Sequence, residues 1–100
     1  MKKEKINGDY TIDADLEFHG MVTGNATVIK NVNLILHGMI CKSLSVEKDG
    51  FAVIYGTISG DLVNKGGRVE VFGMVNGKLI ENYGETIIHS GAVINGVKKP

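Results

Sequence analysis

Aliphatic side chains recur along this chain at spacings of two and six. Leu16, Val22, Val28, Leu34, Ile40, Val46, Ala52 and Ile58 fall six apart without a break. Leu16 and Phe18, Leu34 and Leu36, Ala52 and Ile54 and, beyond that run, Val69 and Val71 are pairs two apart. A spacing of two puts side chains on one face of a strand, whereas a helix needs three and four. The pattern predicts short strands of six-residue period. One residue drops out near Gly66-Gly67, after which the pattern is expected to resume with Val69, Val75, Ile87 and Val93.

A longer period overlies the hexad. Gly20-Met21-Val22-Thr23-Gly24 is echoed by Gly56-Thr57-Ile58-Ser59-Gly60 and Gly73-Met74-Val75-Asn76-Gly77. Gly38-Met39-Ile40-Cys41-Lys42 carries Lys for the second Gly, and Ala92-Val93-Ile94-Asn95-Gly96 carries Ala for the first. The central aliphatics Ile6, Val22, Ile40, Ile58, Val75 and Ile94 are separated by 16, 18, 18, 17 and 19 residues. A fixed period over a whole chain marks a repeat architecture. Three hexads make one turn of a three-sided coil, with a strand on each side and Gly giving freedom at the bends.

The fold expected is therefore all-β, a single-chain three-sided β-helix (β-solenoid) of about five to six coils. With strands about 4.8 Å apart, the rod should be roughly 25 Å long. Residues 1–5 are expected to form a flexible N-terminal tail, 6–97 the β-helix and 98–100 a C-terminal tail.

Composition narrows the function. Eleven basic and eleven acidic residues cancel, which argues against nucleic acid as partner. Cys41 is the only cysteine, so no internal disulfide forms. No apolar run is long enough to span a membrane, and Met-Lys-Lys-Glu-Lys does not lead into a signal-peptide stretch. A cytoplasmic protein is expected.

The repeated Gly-x-[Val/Ile]-x-Gly phrase, the coil near 18 residues and the closing Gly91-Ala92-Val93-Ile94-Asn95-Gly96 resemble the bactofilins, a family of bacterial cytoskeletal proteins. The likeness covers about residues 6–97. It implies a right-handed three-sided β-helix that polymerises end to end without a nucleotide, and a scaffold role with a peripheral place at membranes. Lys42 departs from the phrase, and the long flanking tails and N-terminal membrane anchor of such proteins are not seen here.

Two outward columns stand out. The residues before the phrase Gly are His19, His37, Tyr55 and Phe72, with His89 a further member if the last coil takes its extra residues after it. Those after it are Met21, Met39, Thr57 and Met74. The plainer reading is that these side chains stack coil on coil. The sharper one is a ridge that grips a partner, since exposed apolar patches mark contacts and Met adapts to them. His19 and His37 should lie about 4.8 Å apart, but no third ligand is assured, and no metal is expected. Cys41 shares a column with Thr23, Ser59 and Asn76 and reads as one more small outward residue rather than a nucleophile. Asp9, Asp13, Asp15, Glu17, Asp61, Glu70, Glu81 and Glu85 read as solvated surface with no pair set for acid–base work.

The coil ends are the last candidates. A solenoid end exposes unpaired strand edges, here around Ile6 and Tyr10 at one end and Ile94 and Val97 at the other. These residues are expected to carry self-association. Three functions follow. The first is a non-enzymatic scaffold polymerising through its ends, with itself as partner. The second is a monomeric or dimeric module, such as a toxin-neutralising immunity protein, that grips one protein through the ridge. The third, least favoured, is a hexapeptide-repeat enzyme built on His19, His37 and His89. No cofactor and no catalytic residue are expected.

Overall fold

The computed structural model describes residues 3–100. The chain winds through short strands, with no helix among these residues. The first coil holds β1 (Lys5–Ile6), β2 (Tyr10–Ile12) and β3 (Leu16–Phe18). The second holds β4 (Met21–Val22), β5 (Ala26–Val28) and β6 (Asn33–Leu36). The third holds β7 (Met39–Ile40), β8 (Leu44–Val46) and β9 (Phe51–Ile54). In the fourth, β10 (Thr57–Ile58) leads into the long β11 (Leu62–Val71). In the fifth, β12 (Met74–Val75) leads into β13 (Leu79–Ile88), and the chain closes with β14 (Val93–Ile94) and β15 (Val97–Lys98).

Equivalent strands of successive coils pair in parallel and make three faces. One is the seven-stranded ladder β1-β4-β7-β10-β12-β14-β15. The other two begin as β2-β5-β8 and β3-β6-β9, and β11 joins them by running through the corner between them. The β-solenoid of about five turns and 18-residue period is therefore the fold. Its extents are 32 × 24 × 20 Å.

Register follows the sequence columns. Leu16, Leu34, Ala52 and Val69 pair in succession, as do Val22, Ile40, Ile58 and Val75. Leu34, Leu36, Ile40, Ile54, Ile58 and Leu62 are wholly or almost wholly buried. Each such side chain contributes roughly 1.5–3 kcal/mol of hydrophobic stabilisation. Stacking like on like keeps the interior filled from coil to coil.

The uneven steps are absorbed at corners. Between the second and third faces, Ile12 to Leu16 spans four residues, Val28 to Leu34 and Val46 to Ala52 span six, and Asn64 to Val69 spans five. At the last corner, Val71 to Met74 spans three residues but Ile88 to Val93 spans five. This placement corrects the expected continuation of the hexad. Ile87 pairs with Glu70, and Val93 with Met74, both in outward columns; Thr86, Ile88 and Ile94 fall opposite the core positions Val69, Val71 and Val75.

Three further expectations are corrected. Lys5 belongs to β1 and Lys98 to β15, so one residue of each expected tail enters the ladder; Met1 and Lys2 lie outside the described residues. The first phrase glycines are needed for close approach rather than for freedom at a bend. A Cβ on Gly38 would overlap the Gly20 carbonyl oxygen, and one on Gly56 the Gly38 carbonyl oxygen. Finally, Asp9, Asp15 and Asp61 are not idle surface. Asp15 Oδ1 accepts the Asn33 N–H at 2.9 Å. At the corner between the first and second faces, Asp9 accepts from Asn25 N–H at 2.8 Å, Asn25 from Ser43 at 3.0 Å, Ser43 from Asp61 at 3.0 Å and Asp61 from Lys78 at 2.8 Å. Each side-chain oxygen satisfies the backbone N–H one coil on, where the strand ladder is interrupted.

Candidate functional site

The ring column forms one continuous stack. His19, His37, Tyr55 and Phe72 each precede a corner glycine, His89 precedes Ser90, and the parallel register sets the five rings one strand spacing apart. Centroid separations are 4.4 Å for His19–His37, 5.0 Å for His37–Tyr55, 4.9 Å for Tyr55–Phe72 and 3.9 Å for Phe72–His89. Interplanar angles are all small, from 5° to 13°. His89 is in the column because the last coil takes its extra residues after it. Face-to-face contact removes part of each ring from water and leaves the edges exposed, with Tyr55 at 49% and Phe72 at 38%.

The second column runs beside it across the corner. Lys5, Met21, Met39, Thr57, Met74, Val93 and Lys98 pair in sequence, a largely apolar row broken by Thr57 with a lysine at each end. Met21 and Met39 are half-buried, and Met74 is 40% exposed. The two columns come together at Tyr55, Thr57, Phe72 and Met74, which with Val93 line a shallow cleft of about 230 Å³. Cys41 is a half-buried free thiol in the expected outward column with Thr23, Ser59 and Asn76.

Carboxylates sit beside the imidazoles at both ends of the stack, a relation the sequence columns did not bring out. Glu17 and His19 are two apart on one strand face, and the register brings His37 alongside. Glu17 Oε2 is 3.3 Å from His19 Nε2 and 3.3 Å from His37 Nε2. A carboxylate thus stands beside the two imidazoles, where the sequence reading assured no third donor. At the other end Glu70 Oε1 is 2.9 Å from His89 Nε2, with the Arg68 guanidinium 3.8 Å from the same carboxylate and also paired with Glu85. The i, i+2 spacing of Glu17 and His19 was the available signal.

Compared with known proteins, the chain matches no family model, no curated protein and no solved structure.

The coil ends differ from each other. At the N-terminal end β1, β2 and β3 each pair on one side only, and Ile6, Tyr10 and Leu16 are partly buried against the core. At the C-terminal end β13 pairs only with β11. The first face is closed differently: β15 folds back antiparallel on β14, with Lys99 N–H donating to the Ala92 carbonyl at 2.8 Å. Asn95 (φ 50°) and Gly96 (φ 79°) make the two-residue turn, the pairing that suits the twist of a tight hairpin. Ile94, expected among the end contacts, is paired with Val75 on one side and Val97 on the other, so its strand is not an open edge. Val97, 71% exposed, lies on the closing strand.

Proposed function

We propose that this protein is a non-enzymatic scaffold of the bactofilin-like kind, which self-associates through the ends of its β-helix. The observation that carries the reading is the N-terminal edge, where β1, β2 and β3 each leave one side of the strand unpaired among the described residues. Unpaired parallel strands template the addition of another chain. Ile6 and Tyr10 add partly exposed apolar surface to that edge. The second assembly surface is β13 at the other end. The β14–β15 hairpin restricts contact there to the remaining two faces.

Size-exclusion chromatography with light scattering, over a concentration series, tests this. A mass that grows with concentration, with rods under the electron microscope, is expected. Ile6→Lys should lower that mass while the far-UV strand signal is unchanged. A single monomer mass at every concentration overturns the reading.

The cleft between Tyr55, Phe72 and Met74 favours a second reading, a module that binds one protein through the ridge, of which a toxin-neutralising immunity protein is one form. Replacing Met21, Met39 and Met74 together by Ser should then abolish partner capture without unfolding the chain.

A further inference from the structure

We propose that Glu17, His19 and His37 form a binding site for a divalent transition cation of the zinc class, one that clamps the first coil to the second. One carboxylate oxygen of Glu17 and one ring nitrogen from each of His19 and His37 all lie within 4.8 Å of one another. The two carboxylate-to-imidazole distances are both 3.3 Å. Around zinc with ligands at about 2.0–2.1 Å, neighbouring ligands of a tetrahedron stand about 3.3–3.4 Å apart. Both carboxylate–imidazole separations therefore match the edge of such a tetrahedron before any ring turns.

The rings start stacked, with their planes only 13° apart. A shared cation requires each ring to turn so that the Nε2 lone pairs converge beside Glu17. Rotation about the Cβ–Cγ bond of His is soft and needs no backbone change. Two imidazoles and one carboxylate are a donor set for Zn²⁺, Co²⁺, Ni²⁺ or Cu²⁺ rather than for Ca²⁺ or Mg²⁺, which take oxygen. The half-exposed ridge leaves the fourth position to water.

Glu17 and His19 come from the end of the first coil and His37 from the second. A bound cation therefore ties the terminal coil to the rest of the rod, beyond the backbone ladder that already joins them. The opposite end of the stack is a built-in comparison. Glu70 stands beside His89 in the same way, but the next ring is Phe72, not a second imidazole, and Arg68 adds a positive charge beside the carboxylate. That end lacks a second imidazole, and Arg68 already pairs with its carboxylate.

The test uses the full chain, stripped with chelator, and Zn²⁺ alone as probe. Calorimetric titration should give one Zn²⁺ per chain, and the thermal midpoint should rise with added metal. Glu17→Gln and His37→Gln should each weaken binding by at least about 100-fold, since removing even a residue behind a ligand costs 10–100-fold. His89→Gln should bind as the parent does. Co²⁺ absorption of the parent chain provides a readout independent of the variants, because a four-coordinate site gives intense visible bands. No Zn²⁺ uptake by the parent chain, uptake unchanged in Glu17→Gln, or uptake lost in His89→Gln would each overturn the site.

Discussion

Asn64 stands one coil above Val46 in the second face, a fully buried amide stacked on a fully buried valine. It occupies the next hexad position after Ile58, where an aliphatic belongs. The reason is the short corner that follows. In the preceding coil the turn closes on its own backbone, Gly50 N–H to the Glu47 carbonyl at 2.9 Å. With one residue fewer, the Asn64 side chain takes over. Its Oδ1 accepts from Gly66 and Gly67 N–H at 3.1 and 2.8 Å. Its Nδ2 reaches the Gly67 and Glu85 carbonyls, both at 3.1 Å, and Thr86 Oγ1 at 3.0 Å.

Asn64→Leu therefore destabilises, although it repairs the hydrophobic pattern. It leaves buried backbone groups of the corner unpaired, each costing about 1–3 kcal/mol. A loss of about 3 kcal/mol or more is expected. At about 4–8 °C per kcal/mol for a domain of this size, the melting temperature should fall by at least about 12 °C. A melting temperature at or above the parent's would show that the amide is dispensable.

Close packing of coil on coil gives a second prediction. Gly56→Ala places a Cβ against the Gly38 carbonyl oxygen, a backbone atom that moves only if two coils separate. A cost of about 3 kcal/mol or more is expected, at the upper end for overpacking. Gly91→Ala meets no atom within 4 Å and suffers only its left-handed φ of 90°, which costs about 1 kcal/mol. Denaturant midpoints of the two variants should differ in that order.

The acceptor ladder supplies a third. Asp61→Ala removes the oxygen that takes the Lys78 N–H, a loss of about 1 kcal/mol at this half-exposed corner. Asp61→Asn keeps an acceptor, as Asn25 does in the same column, and should unfold within about 0.5 kcal/mol of the parent. Equal losses in both variants would assign the effect to charge instead.

The core columns were legible because a period of two inside a period of six leaves only one arrangement that buries Phe18, Leu36, Ile54 and Val71 together. The ring stack was legible because His19, His37, Tyr55 and Phe72 hold one offset from the phrase glycine. What escaped were places where a residue serves a neighbouring coil. Asn64 works across the missing residue to Glu85 and Thr86. Glu17 matters through a histidine one coil away. The ending was half legible: Val93 and Ile94 keep the phrase register with Met74 and Val75, while Asn95-Gly96, itself a tight-turn signal, sends the chain back along β14.

That hairpin gives the fourth prediction. β15 occupies the edge that a sixth coil, or another molecule, would use. Gly96→Val puts a β-branched side chain at φ 79°, which strains the turn and loosens β15. The freed edge of β14 then offers about two backbone hydrogen bonds to a second chain. At about 1 kcal/mol each, they are worth about thirtyfold in association constant. Light scattering of Gly96→Val should show association at correspondingly lower protein concentration. Combining Gly96→Val with Ile6→Lys should leave only the contact at the C-terminal end, and growth should stop at dimers. If Gly96→Val scatters as the parent does while hydrogen exchange shows β15 released, the edge of β14 is not an assembly surface, and growth at that end falls to β13 alone.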